Sequence, residues 1–553
     1  MWTSVWDDLK QRRALRVYRV LKTLLRFTIA LALSLAGLQA ADWPQDAGNA
    51  QRTGWTAEEP ELPWEFAWVW NTPEAPGGHR YHQPAPHEPW EARVVVGGGK
   101  VFAPAGELGL FALRVPDGSV AWQFHETCHA AAAFHAESDV LFVGTTGGAV
   151  VKLRAADGAE LGRFEAGEAV TKSLLFARGR VLALTKSGVL HSIEPGTMKA
   201  AWTYESGSVA ATPPAWSERA RCVVFCTEDL SVHCVDGETG RLRWKVKPSP
   251  LSPRESGGHT VEFTGGWPVV AERSGIVFVR LAHSSIEHVL WSGGGPKGKW
   301  PETNELIRAR LEQRPELQDL FALRLADGAP AFVPAVGPAG VEDMRGGKPR
   351  LRVGAMPVVR ERGGREFAYI PWRHGDTRET KWDGRWDSHL GEMTLETIDG
   401  LAAGDLRFVQ FSEHGGWMHI TDESCPLTMA GETIFHAHWD VSSAARMVDR
   451  SPLLGLTRAA PIRTEKRPPV ARHLRSEKPV APSHWHPGGL NLVDGRYLSG
   501  PGWWVYAGTL DIPTPTRNAY SEGILPRYTF AAAGHVFVQG NGGDLFVLRH
   551  AGK

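Results

Sequence analysis

An eleven-residue element recurs along this chain, and its spacing constrains the fold more than any other feature. Residues 112–122 read A-L-R-V-P-D-G-S-V-A-W, and residues 234–244 read C-V-D-G-E-T-G-R-L-R-W. Between them lie K-L-R-A-A-D-G-A-E-L-G at 152–162 and S-I-E-P-G-T-M-K-A-A-W at 192–202. The element returns as A-L-R-L-A-D-G-A-P-A-F at 322–332, and a weaker copy ends near Phe408, after Asp399-Gly400. The closing positions Trp122, Gly162, Trp202 and Trp244 are spaced by 40, 40 and 42 residues. Such a period marks an array of supersecondary units that bury their apolar faces against one another.

Each copy reads as strands. A β-rich run closed by a Gly-containing turn precedes it, as in V-L-F-V-G-T-T-G-G at 140–148. A strand follows, then an Asp-Gly or Thr-Gly pair that makes a tight turn, where Gly accepts positive φ. A last strand carries the Trp or Phe, a large apolar ring suited to packing between neighbouring units. Four short antiparallel strands in about 40 residues make a propeller blade.

The element resembles the tryptophan-docking motif of the PQQ-like, quinoprotein-type β-propeller repeat family, A-x-D-x-x-T-G-K-x-x-W. Residues 234–244 match at Asp236, Thr239, Gly240 and Trp244, with Arg241 in the Lys place. Asp42-Trp43-Pro44-Gln45 also resembles the start of exported proteins of this kind. The resemblance is clear over residues 93–250 and fades toward the C-terminus. It implies the fold; the family spans quinoprotein dehydrogenases, an outer-membrane protein assembly factor and noncatalytic binding propellers, so function must come from the site.

Blades one to four are expected over about 93–125, 128–165, 168–205 and 208–247. Blade five begins near Val261 and is interrupted by a charged insertion, 297–319, with a helix over 304–313. Blade six runs from Leu351 to Phe411 with a polar insertion at 373–390. Blade seven begins near Leu427, with a strand over 432–439, and is obscured by the Pro- and Arg-rich stretch 451–487. After residue 528 only three strands remain, whereas W-E-F-A-W-V-W at 64–70 is an orphan strand upstream of blade one. If it completes the last blade, no sheet edge is left open. The expectation is an all-β, eight-bladed propeller closed by the N-terminal strand, with one short helix; seven blades is the alternative.

The first 41 residues read as a targeting segment. Seven basic residues between Lys10 and Arg26 precede an uncharged apolar run from Phe27 to Leu38, followed by Ala40 and Ala41. That order is a secretory signal peptide, and the run is shorter than the roughly 20 residues a membrane helix needs. Residues 42–553 then form a single propeller domain, periplasmic or secreted, without a transmembrane span. The whole chain carries 61 basic and 61 acidic residues; residues 42–553 carry 54 and 59, a net charge of −5, which excludes nucleic acid as the expected partner. The five cysteines make no disulfide framework, although Cys222, Cys226 and Cys234 fall in one expected hairpin. Oxidation of two of them and burial of free thiols are both open.

Connectors between blades are the expected ligand face. Those connectors carry His125, Glu126 and His129; His259; and Glu413, His414 and His419. His129, His259 and His414 could converge on a divalent metal, or act as acid and base; the alternative is loop side chains bonded to backbone. His436 and His438 share one strand face and form a second possible metal pair, or are satisfied core histidines. Trp372, Trp382, Trp386 and Trp503-Trp504 cluster in insertions and suit either a sugar platform or loop packing. No catalytic residue is identified. No two cysteines are adjacent and no haem-attachment motif is present, so PQQ is not expected as cofactor. The expected activity is binding or scaffolding by a monomer, with a protein or glycan ligand. A polysaccharide lyase or hydrolase is the alternative, and a quinoprotein oxidoreductase the second.

Overall fold

The computed structural model describes residues 41–553 except 62–63, 71–91, 254–260, 264, 284–302, 338–341, 344–349, 352–353, 374–386, 412–416, 420–426, 439–440, 450–456, 462–525, 541–544 and 551–553. Residues 42–553 are one compact unit, an eight-bladed β-propeller. Blade 1 shows the plan: Val95–Gly97, Lys100–Pro104, Leu110–Arg114 and Val120–Phe124 pair antiparallel in sequence order. Blades 2, 3 and 4 repeat it, from Ala133–His135, Leu175–Ala177 and Ala215–Ser217 outward.

The first three strands of these blades are almost wholly buried, as in C-V-V-F-C at Cys222–Cys226, because both faces of each sheet pack on neighbouring blades. The fourth strands are partly exposed. The strand-forming run therefore reads as continuously apolar in the middle of each blade and alternating at its rim.

The repeated element is where blades lock. The ring of Trp122 seats on the Gly158 turn of blade 2, and its indole N–H donates to the Ala155 carbonyl at 3.0 Å. Trp202 does the same on Gly240, with a 3.0 Å bond to Gly237, and Trp244 on Gly328, with a 2.9 Å bond to Leu325. Each seat is a glycine at positive φ, and a Cβ there would lie 2.6–2.7 Å from the indole. Blade 2 has Gly162 at the docking position, and Met198 of blade 3 fills the space. Phe332 of blade 5 rests on Gly404 of blade 6.

The N-terminal strand Trp64–Trp70 pairs antiparallel with Leu545–His550, outside His535–Gly540 and Pro526–Ala532, as the outermost strand of blade 8. Its register shifts between Phe66 and Trp68, the same irregularity that precedes Trp122, Trp202 and Trp244 in their blades. Trp68 is accordingly the docking tryptophan of blade 8. It packs on Gly118 of blade 1 and donates to the Val115 carbonyl at 2.8 Å. Both chain ends thus close the ring.

Several boundaries differ from those read in the sequence. Blade 5 starts at Val269–Ala271; Val261–Glu262 instead pairs with Ala282–His283. Blade 6 starts at Val358–Arg362, and its third strand, Asp387–Thr394, occupies the end of the stretch read as an insertion. Blade 7 is completed by Val441–Asp449 and Thr457–Pro461, and the latter pairs in parallel with the last strand of blade 6, Leu406–Phe411. The helix spans Asn304–Gln313 as expected, capped by the Thr303 side chain and buried through Ile307 and Leu311.

Candidate functional site

Alternating strand direction gives the ring two unlike faces. Turns from first to second strand and from third to fourth open on one face. Loops from second to third strand, and the connectors between blades, open on the other. The insertion helix lies between the second and third strands of blade 5, on this second face. The strand ends that flank residues 71–91, 284–302, 374–386 and 462–525 also lie there.

The opposite end of the axis is occupied by the chain itself. Residues 43–59 form a strap that bonds to the inner edge of one blade after another. Trp43 exchanges both backbone bonds with Val96 of blade 1 at 2.8 Å, and the Pro44 carbonyl accepts from Phe134 of blade 2. At blade 3 a side chain stands in for backbone: the Gln45 amide accepts from the Phe176 N–H and donates to its carbonyl. The carbonyls of Ala50, Gln51, Thr53 and Gly54 accept from Trp216, Val270, Val359 and Met429 of blades 4 to 7. Blade 8 is met by the Trp43 ring, stacked 4.9 Å from Phe530, and by the Glu58 carboxylate, which accepts from the Gly534 N–H. The strap also touches first-to-second turns: Thr56 accepts from Gly431, and Glu59 accepts from Glu432 and Thr433. These contacts place it toward the face away from the connectors.

On the connector side of the strap lies a buried charge cluster. Asp46 bridges Arg52, at 3.1 Å, and Arg93, at 2.7 Å, and all three side chains are sealed from solvent. Arg52 also donates to the carbonyls of Pro214 and Ser173, which precede the first strands of blades 4 and 3. The Arg93 guanidinium lies 4.3 Å from the Trp267 ring, whose indole donates to the Arg52 carbonyl. Tyr528 packs beside them, and burial pushes its phenol well above the usual range. A second buried pair joins Arg280 to Asp319, and the Arg280 guanidinium also donates to the Ala355 carbonyl near the same end of blades 5 and 6. Both clusters are held by internal ion pairs and by bonds to backbone carbonyls under the connector face.

The sequence-derived candidates fare unequally. His125 is exposed and His129 half-buried in the connector from blade 1 to blade 2. Glu126 of that connector is an ion-pair partner of Arg163, with a second contact at 3.2 Å, so its carboxylate is already engaged. His259 and His414 lie outside the described residues, as does Glu413. His419 belongs to the short strand Trp417–His419, which follows the last strand of blade 6 on the way to blade 7 and pairs with the third strand of blade 6. His436 and His438 sit on the second strand of blade 7, opposite Ser443 and Val441; their side chains lie outside the described residues. So do those of Trp372, Trp382, Trp386, Trp503 and Trp504. Among the described residues no group of three His, Cys, Asp or Glu side chains is placed to hold a metal.

Residues 107–331, from blade 1 to blade 5, match the family model described as "Outer membrane protein assembly factor BamB". The docked tryptophans at the blade seams are the feature that motif encodes. Over these residues the β-propeller resembles the PQQ-like repeat family. The chain is similar to solved structures at low identity. One is BamB from Moraxella catarrhalis, at 12% identity and TM-score 0.45, covering 88% of this chain and 100% of that one. Another is the quinohemoprotein alcohol dehydrogenase ADHIIG from Pseudomonas putida HK5, at 10% and 0.48, covering 93% and 81%. A europium-containing methanol dehydrogenase is similar at 12% and 0.41, covering 92% and 98%. No curated protein matches the chain.

The sequence reading missed Asp46, Arg52 and Arg93. A short polar run with Gly48 and Gly54 looks like a surface turn, and nothing in its composition marks the carboxylate as buried. The one available signal was Trp43 so close to the start of the domain, an expensive residue to leave in a terminal tail.

Proposed function

We propose that the protein is an exported binding or scaffolding propeller that takes a protein or glycan ligand on its connector face. The observation that carries this reading is the strap: residues 43–59 occupy one end of the axis and bond to all eight blades. Recognition is thereby left to the face that bears the helix and the inter-blade connectors, where loops can vary without disturbing the ring. Export is supported by the residue order of the first 41 positions and by the strap beginning directly after them. The mature chain is monomeric in this reading.

Photocrosslinking side chains on the two faces test it. Glu168 and Lys186 are exposed on the connector face, Asp117 and Glu238 on the other. In cells making the full chain, higher-mass adducts are expected from the first pair alone. Adducts from the second pair alone overturn the assignment. Turnover of any glycan in a panel supplied with divalent metals, or dye reduction with PQQ and calcium, overturns the noncatalytic reading. Fusing residues 1–41 to β-lactamase is expected to give ampicillin resistance; sensitivity removes the exported location.

A further inference from the structure

The outermost strand of each blade presents one backbone edge at the rim of the ring. In blade 4 that strand is Leu242–Val246, which pairs inward with Val232–Asp236 and has no partner strand outward among the described residues. With its flanks it reads R-L-R-W-K-V-K over residues 241–247, four cations and no carboxylate. The other described rim strands are close to neutral. Those of blades 1 and 5 have no charged residue, and the rest depart from balance by one charge at most.

All four cations are exposed, and Leu242 among them is 46% exposed. Only part of their charge is used within the blade. Arg243 bonds to Asp236 at 2.7 Å, and Lys245 and Lys247 lie 3.3 and 4.0 Å from the same Asp229 carboxylate. Two carboxylates thus stand against four cations. Trp244 is buried on Gly328 at the seam with blade 5, so the edge is formed in advance and pairing orders only the incoming segment. Charge on an edge strand also keeps copies of a protein from pairing edge to edge. That role does not explain its concentration in blade 4, because the uncharged rim strand of blade 1 exposes Val120 at 48%. The ring itself shows that a rim edge accepts a further strand, since Leu406–Phe411 of blade 6 pairs in parallel with Thr457–Pro461.

We propose that the blade 4 rim is a docking edge for an acidic, extended segment of a partner protein, which joins the sheet as a fifth strand beside Leu242–Val246. The backbone groups that this strand turns away from Val232–Asp236 hold the segment, as in other cases of strand addition. Arg241, Arg243, Lys245 and Lys247 stand at every second position, and carboxylates at every second position of the segment match them. Residues between those carboxylates are β-branched, the type that suits a pleated edge. An anionic polysaccharide would meet the cations but leave the edge without a backbone partner, so the open strand favours a peptide. The docking edge is separate from the connector face and stands without it.

The test uses the full chain and a fluorescein-labelled peptide that alternates valine and glutamate, followed by fluorescence anisotropy at low ionic strength. Saturable binding is expected, with slowed amide exchange in residues 242–247 and none in the rim strand Lys199–Glu205 of blade 3. The double variant Arg241→Glu with Lys247→Glu should weaken binding by about tenfold, by reversing two cross-strand charge pairs. The same peptide N-methylated at every residue keeps its charge and loses its backbone donors, and it should also bind about tenfold more weakly. Absence of saturable binding, or equal affinity for the N-methylated peptide, overturns strand addition. Binding of an oligogalacturonate as tightly as the peptide overturns the choice of a polypeptide partner. If the double variant fails to fold, the two peptides on the wild type decide.

Discussion

Trp244 does two things at a single seam. Its ring fills the space above Gly328, and its indole N–H satisfies the Leu325 carbonyl. Trp244→Ala is expected to lose about 3–5 kcal/mol of stability, read as a shift in the urea midpoint, since truncating a buried Trp leaves a cavity that the seam cannot fully collapse. These docking residues were legible because the copies at 112–122, 234–244 and 322–332 each carry a closing ring and a glycine that seats the ring of the preceding blade. His233 was not singled out at all. Its Nδ1 lies 3.0 Å from the Tyr204 hydroxyl and its Nε2 3.1 Å from that of Thr227, and its ring stacks on Phe225. Burial, and then the neighbouring Lys245, push its pKa down to about 4. A histidine held neutral in the fold adds stability that is full above its unfolded value near 6.5, and that stability is lost as pH falls toward about 4. Asp229 titrates lower: burial opposes its charge, but Thr227, Ser231 and Lys245 hold it down to about 2. Melting curves between pH 7 and 4 should therefore fall more steeply for the wild type than for His233→Gln. Equal slopes would show that this histidine does not set the acid sensitivity.

At the scale of elements, the strand Trp64–Trp70 was legible by arithmetic: the last blade lacked a strand and the chain offered one spare. Its pairing with Leu545–His550, including the shift before Trp68, makes it interchangeable with the fourth strands of other blades. The seam it closes differs in one respect, because it joins parts of the chain nearly 500 residues apart. Trp68→Ala is therefore expected to free strands 526–550 and 95–104 to exchange amide hydrogen early, whereas Trp244→Ala should leave these strands protected. Early exchange at both seams would show that the ring unfolds as a single unit. Elements that escaped the sequence did so for physical reasons. Only residues 387–390 of Asp387–Thr394 fall in the stretch read as a polar insertion, and the strand also carries the carboxylate of Glu392. That carboxylate is buried and accepts from Tyr369 at 2.6 Å, Arg362 at 2.8 Å and Arg407 at 3.2 Å. A charge neutralised by partners on other strands leaves no local trace. Blade 5 was placed too early because Val261–Glu262 has the composition of an inner strand, yet it pairs with Ala282–His283, a separate short strand just past the second strand of the blade.

For the molecule as a whole, the strap decides which end of the axis is available, and Arg52 is what joins it to the ring. This residue adopts a left-handed backbone at φ 55°, a conformation costing about 1–2 kcal/mol in a side-chain-bearing residue. Its guanidinium bonds offset that cost by tying Asp46 to the carbonyls before blades 3 and 4. Arg52→Met keeps the bulk but leaves Pro214 and Ser173 without their donor, and leaves Asp46 with Arg93 alone. The expected loss is about 3 kcal/mol, by the usual cost of breaking a buried ion pair on one side. If the strap acts through the whole ring, the amides it caps, from Phe134 in blade 2 to Met429 in blade 7, should then exchange faster together. Gln45→Ala supplies the contrast, because that side chain caps Phe176 alone. Coordinated acceleration in Arg52→Met beside a single affected amide in Gln45→Ala identifies the strap as one cooperative element. Acceleration confined to blades 3 and 4 in Arg52→Met would reduce it to a set of independent contacts. The closed end of the axis would then need another explanation.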